Sequence, residues 1–423
     1  MYPLSTITFA LVFFLLWERI AKKELFFGVF MGYLFIYTIF FQFGYQLYPE
    51  FSERIKAYFG LDAFWKYQFQ VFASFAGFFL LFILGSPFFK RPIFHVCEFR
   101  RSALKQVLLY ALLFGQYGYV LTYSWYFGDK LNYISALGAG EDGQRLVGLT
   151  VFGILFKLSI IWILLFYLLA REKKQKPVRD WLLFSFSCAA TISICIKLGN
   201  RTDLIAVATG ITAFEVSRIR GIGRVLVIRR IFILAPLFVI AFGLSKLAIS
   251  NRGNQDLEPK ELAERIIVND YFAPSHVLIT TIALEFTSLP EVLRSNSANA
   301  LLGFGYPLLQ TTVVDQINPG VSSRTTGYGF YMLSEGPLAL GAYGFIYNSI
   351  VIVFGYFLLR CFATTDSTFF NTFCLMLLCA YCANFSRTQT SFFIKYIYTF
   401  LFPAFLLFYL ATGQRIAGII RQR

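Results

Sequence analysis

Arg201, Arg252, Arg265, Arg294, Arg324 and Lys157 stand out in a chain that is otherwise sparing with charge. The arginine fork binds phosphate oxygens bidentately and stays charged at any physiological pH. Several such forks around one cavity would suit a phosphate or pyrophosphate group. The alternative is that they pair with nearby acids or with lipid phosphates. Arg201 lies in the tight turn Gly199-Asn-Arg-Thr-Asp203, which leaves little room for an idle charge. Lys157 falls inside an apolar run. An ionisable group there is costly and faces a protein or water-filled interior, unless it snorkels toward the headgroups.

The candidates for proton transfer are Glu141, Asp142, Asp203, His276 and Glu335. A hydroxyl attacking the anomeric carbon of a sugar must lose a proton, and a placed carboxylate or imidazole takes it. Glu141 and Asp142 sit in Gly138-Ala-Gly-Glu-Asp-Gly143. Glycine flanks allow a substrate to approach closely, or simply make a solvated turn. His276 follows Ala-Pro-Ser and either starts or caps a helix, and Asp203 is placed to cap one. Tyr271, Phe272, Tyr306, Tyr328 and Tyr331 offer rings that stack on sugars or fill an interface. His95 and His276 are the only histidines, and none of the seven cysteines falls between 250 and 340. A thiolate or histidine metal site and a disulfide framework are therefore not expected. No glycine-rich phosphate loop is present, and no cofactor is expected.

The elements that must position these groups are almost entirely apolar. The 423 residues are 57% hydrophobic, 19% aromatic and 14% charged, with mean hydropathy +0.62. A soluble domain carries about 25% charge. Apolar runs of membrane-spanning length, roughly 17–25 residues, recur along the chain. Eleven are expected: 3–18, 25–47, 67–89, 106–127, 148–170, 181–198, 203–217, 231–249, 341–360, 368–386 and 394–412. The fold class is an all-α polytopic membrane protein with a long, partly helical outer loop. Residues 1–249 hold eight spans, 250–340 form the loop, and 341–423 hold three spans and a tail. Within the loop, 258–268 and 275–286 read as helices, the first with proline and acids in its opening turn.

Lysine and arginine collect in alternate connections, so that 22 bases and 7 acids fall on one side and 15 bases and 16 acids on the other. The basic side is cytoplasmic by the positive-inside rule. The N-terminus and the 250–340 loop are then expected outside and the C-terminus inside. The net charge of +15 is accounted for by topology, which removes the nucleic-acid reading. Matching halves, the mark of many transporters, are not evident.

This layout resembles bacterial O-antigen and oligosaccharide repeat-unit polymerases of the Wzy type. The resemblance rests on the Gly199–Asp203 turn, the single long outer loop, and the stretch Ser323-Arg-Thr-Thr-Gly-Tyr-Gly-Phe-Tyr-Met-Leu-Ser-Glu-Gly336 running into Leu340-Gly-Ala-Tyr-Gly-Phe345. Arg294 and Gly305 have the family's arginine-ten residues-glycine spacing, whereas Arg201 is followed at that spacing by Thr212. The resemblance implies a metal-independent GT-C-like glycosyltransferase in the bacterial inner membrane, working at the periplasmic face. It would move a growing glycan from undecaprenyl pyrophosphate onto the next lipid-linked unit, with the lipid pyrophosphate leaving. The implied partners are that lipid-linked oligosaccharide, membrane lipids and a chain-length regulator. Arg201, Arg252, Arg265, Arg294, Arg324 and Lys157 would hold the pyrophosphate, with Tyr328 against substrate. Glu141, Asp142, His276 or Glu335 would activate the acceptor. An O-antigen ligase and a lipid-linked oligosaccharide flippase are the alternative readings.

Overall fold

The structure is a computed structural model that describes residues 2–47, 49–85, 103–127, 143–172, 177–198, 202–219, 273–283, 288–301, 309, 313, 330–362, 368–386 and 388–413. These are helical with short connections, and no strand occurs among them. The helices are α1 (Tyr2–Lys23), α2 (Leu25–Leu47), α3 (Pro49–Phe59), α4 (Ala63–Gly85), α5 (Ala103–Phe127), α6 (Gly143–Glu172), α7 (Pro177–Leu198) and α8 (Thr202–Arg218). They continue as α9 (Ala273–Ala283), α10 (Leu289–Leu301), α11 (Glu335–Leu340), α12 (Gly344–Phe362), α13 (Thr368–Ser386), α14 (Ser391–Tyr396) and α15 (Phe402–Thr412). Lipid offers no partner for backbone N–H and C=O groups, so a chain this apolar satisfies them within helices.

Among the described residues, six helices are long and apolar enough to cross a membrane: Leu25–Leu47, Ala63–Gly85, Val151–Arg171, Val178–Ile196, Met332–Cys361 and Ser391–Thr412. The expected runs at 3–18, 106–127, 203–217 and 368–386 are also helical, within α1, α5, α8 and α13. The run at 231–249 and the helix expected at 258–268 lie outside the described residues.

Aromatic rings fill the interior. Phe13 stacks on Phe35 with centroids 3.9 Å apart, and Phe27 stacks on Phe82 at 4.5 Å. Water gives little drive to pair helices inside lipid, so close backbone approach decides which helices meet. Gly77 lets α4 lie against Ser349 of α12, and Gly355 of α12 faces the Phe393 ring of α14. A β-carbon added at Gly210 of α8 would come within 2.9 Å of the Met376 carbonyl on α13.

A second, smaller core sits at one end of the bundle. It joins Val277 of α9, Val292 of α10, Leu309, Val313, Phe330, Leu338 and Ala339 of α11, and Tyr347 of α12. All but Tyr347 come from the 250–340 stretch, whose described part therefore packs as folded structure on the spans. Helix α9 agrees with the helix expected at 275–286. Helix α10 was not foreseen, although Ser288 followed by Pro290 and Glu291 is a helix-start signature. The Ser288 carbonyl accepts from Val292 N–H, and the Ser288 N–H donates to the Leu338 carbonyl at 2.9 Å.

Candidate functional site

Glu335 opens α11 and is completely buried. An ionised carboxylate there is tolerated only where donors replace water. Three residues supply them. The Thr390 N–H donates to one oxygen. The other accepts from Thr390 Oγ1 at 2.7 Å, Asn296 Nδ2 at 2.9 Å and the Tyr347 hydroxyl at 3.3 Å. Asn296 also reaches the Tyr347 and Thr390 hydroxyls, each at 3.2 Å, and its Oδ1 accepts from Gln389 Nε2 at 3.3 Å. The carboxylate thus ties α10, α11 and α12 to the turn that leads into α14.

Local sequence explains how Glu335 reaches this position. Gly341 ends α11 at φ +57°, a left-handed conformation that suits glycine. The chain then folds back so tightly that Gly336 lies against the Gly344 carbonyl and Asn348, with no space for a β-carbon. Beside the network in sequence, Gln389 Oε1, Ser391 Oγ, Ser334 Oγ and Asn348 Oδ1 are buried with no hydrogen-bond partner. Each such atom costs about 1–3 kcal/mol.

Thr390 directly precedes α14, so Glu335 occupies the N–H end of that helix, where negative charge is favoured. Five residues on, α14 carries Lys395, which lies within electrostatic reach of Lys157 on α6. The geometry between them is set by tyrosines. The Tyr381 hydroxyl of α13 donates to the Lys157 carbonyl at 3.1 Å, and its ring meets that of Tyr396 at 5.1 Å. Asp203, buried in the first turn of α8, is also within electrostatic reach of Tyr381. Neither lysine has an ion-pair partner among the described residues. A lysine on each of two apolar helices, the two within electrostatic reach of one another, makes a place where an anion is favoured.

The helix bearing Lys395 is distorted on its other side. Residues Ile397–Leu401 form a π turn ahead of α15. Pro403 has no N–H to donate and its ring excludes the carbonyl four residues back, at Thr399. The ladder widens there, and such bulges recur at functional sites. Lys395 therefore sits on six α-helical residues bracketed by the Glu335 cap and the π turn.

The other sequence candidates fall as follows. Arg294 is exposed on α10, about 200° round the helix from Asn296. It thus faces away from the carboxylate. His276 on α9 is half-buried with its ring edge-on to Phe59 of α3 at 5.6 Å. Burial pushes its imidazole down to about 4, so it is neutral at pH 7. Lys157 is exposed on α6. Glu141, Asp142, Arg201, Arg252, Arg265, Arg324 and Tyr328 lie outside the described residues. Sequence reading missed Asn296, Tyr347, Thr390 and Lys395. Only Lys395 carried a signal, as a basic residue close to the start of an apolar run.

Among the described residues no group of three or more His, Cys, Asp or Glu side chains could hold a metal ion. Comparison with protein-family models, with curated proteins and with solved structures returned no match.

Proposed function

We propose that this chain is a multi-pass membrane glycosyltransferase that joins lipid-pyrophosphate-linked oligosaccharide repeat units at the outer face of the bacterial inner membrane. The observation that carries the reading is the coupling of two unlike sites through α14. A buried carboxylate amid amides and hydroxyls stands at its start, and the Lys395–Lys157 pair stands beyond it. A sugar acceptor needs the first kind of surface and a departing lipid pyrophosphate the second.

In this reading the chain has eleven spans, with the N-terminus and the 250–340 loop in the periplasm and the C-terminus in the cytoplasm. The ion pairs support that alternation. Arg360 meets Glu24 at 3.4 Å and Arg171 meets Glu215 at 3.1 Å, and all four belong to the basic side. Asn296, Glu335 and Thr390 come together from three stretches assigned to the opposite side. The growing glycan moves as a block. The acceptor hydroxyl attacks the anomeric carbon of the donor, the bond to the lipid pyrophosphate breaks, and the hydroxyl proton passes to a base among Glu141, Asp142, His276 and Glu335. Lys157, Lys395, Arg201, Arg252, Arg265, Arg294 and Arg324 stabilise charge on the leaving pyrophosphate, with Tyr328 against a sugar ring. A chain-length regulator is the expected protein partner.

The test is reconstitution of the full chain in liposomes with a polyprenyl-pyrophosphate-linked oligosaccharide. The expected product is a ladder of two or more repeat units with release of the lipid pyrophosphate. Lys157→Met should lower its rate about 100-fold, the scale of one lost charge-stabilising group. Substrate that crosses the bilayer unextended would identify a transporter. Transfer only to an added lipid A core would identify a ligase.

A further inference from the structure

A cleft of about 400 Å³ that the site above does not use is lined by Trp65, Lys66, Phe69 and Gln70 of α4, Thr281 and Ile282 of α9, and Pro337, Gly341 and Ala342. Its polar groups are incompletely used. Gln70 Nε2 donates to the Gly341 and Ala342 carbonyls at 3.1 and 2.7 Å, while its buried Oε1 has no partner. Lys66 is exposed and has no ion-pair partner among the described residues.

Two apolar stripes run down the bundle from this cleft. On α4, Phe69, Ala76, Leu80 and Leu84 are exposed, and on the adjoining α12 so are Ile346, Ile350 and Phe354. The helices are parallel neighbours here, with Phe69 edge-on to Phe345 at 5.6 Å and Gly77 against Ser349. From Phe69 to Leu84 the α4 stripe covers about 22 Å at 1.5 Å per residue. That exceeds the roughly 15 Å depth of one leaflet, half of a 30 Å hydrocarbon core.

We infer that this cleft and its two stripes bind one anionic glycerophospholipid of the bilayer, with the headgroup beside Lys66 and Gln70 and an acyl chain along α4 and α12. The ammonium matches the headgroup phosphate. Gln70 spends its N–H groups on the Gly341 and Ala342 carbonyls and so fixes that wall of the cleft. The apolar stripes match the hydrocarbon of an acyl chain. The inference needs the membrane but not the transferase reading, and it stands if no sugar is transferred.

Native mass spectrometry of the full chain in detergent, titrated with phosphatidylglycerol or phosphatidylcholine, tests it. One tightly retained phosphatidylglycerol is expected, with phosphatidylcholine held more weakly. Removing one interfacial charge, Lys66→Gln, should weaken phosphatidylglycerol about fivefold, and reversing it, Lys66→Glu, about 30-fold. Lys56→Glu makes the same charge change on α3, where Lys56 pairs with Glu53 at 2.7 Å, and should leave retention unchanged. Ala342→Trp fills the cleft from an exposed position and should expel both lipids while the unfolding temperature is kept. Unaltered phosphatidylglycerol retention by Lys66→Glu or by Ala342→Trp overturns the site, as does equal retention of the two lipids.

Discussion

The interior of the bundle and the end that holds Glu335 are built on different physics. Inside, Phe13, Phe35, Phe27, Phe82 and Tyr356 pack ring against ring, and several polar groups bond to backbone carbonyls within the bundle. Trp17 Nε1 donates to the Gly28 carbonyl at 2.6 Å, and the Thr38 hydroxyl to the Leu34 carbonyl at 3.0 Å. At the end, one carboxylate gathers four donors from three residues on separate elements. Packing is distributed over many contacts, each of modest weight. The polar network is concentrated, so removing its centre strands every donor together.

The largest effect is therefore expected at Glu335. Glu335→Leu keeps the bulk and removes the acceptor, leaving the buried Thr390 N–H unbonded and taking from the Thr390 hydroxyl, the Tyr347 hydroxyl and the Asn296 amide the acceptor they share. At about 1–3 kcal/mol for each stranded group the loss is on the order of 4 kcal/mol. Glu335→Gln should lose less, since one oxygen still accepts. Thermal unfolding of the purified protein checks both, and equal stability of all three forms would break the contrast between the two regions.

Gly336→Ala comes next. Its β-carbon meets backbone at Gly344 as well as the Asn348 side chain, so relief requires α11 to move away from α12. Overpacking costs about 1–3 kcal/mol, and the upper end is expected here. The same variant should reduce the proposed repeat-unit joining, because α11 carries Glu335. A stable but inactive variant would sharpen the comparison by separating position from stability.

His276 supplies a pH test of the same end. Its imidazole ordinarily titrates at 6.5 but at about 4 in the fold. The unfolded chain takes up this proton first as the pH falls. Stability is thus complete above about 6.5 and drains away between there and about 4, by up to about 3 kcal/mol. His276→Phe should flatten that part of the pH profile. A slope that persists in the variant would assign it to other groups.

The smallest effect is expected inside the bundle. Thr38 and the Tyr331 hydroxyl hydrogen-bond at 2.7 Å, deep among apolar side chains. Such bonds between membrane helices average about 0.6 kcal/mol. Thr38→Val should cost about that much, and a loss as large as that of Glu335→Leu would erase the difference between the regions.

Much of the architecture was legible in the chain. Apolar runs marked every described helix of membrane-spanning length, and the helix at 275–286 was read from composition. Helix α10 carried its signature at Ser288, Pro290 and Glu291 but sat in a polar stretch where hydropathy is silent. The candidate site was much less legible. Glu335 was one of five proton-transfer candidates, and its partners lie 12, 39 and 55 positions away. Lys157 was recognised by its cost within an apolar run, while Lys395, 238 positions on, looked like an ordinary base near a helix end.

What the sequence alone determined is that this chain is helical and that several of its helices are long and apolar enough to cross a membrane. Both follow from residue type, because a long apolar run in a bilayer must satisfy its own backbone and only a helix does so within one segment. Only the tertiary structure decided which acid is buried and which lysines come within electrostatic reach of each other. Glu291 and Glu335 both open a helix, yet one is exposed and the other has no contact with solvent. Burial of a charge depends on donors converging from distant segments, and no local pattern specifies that convergence.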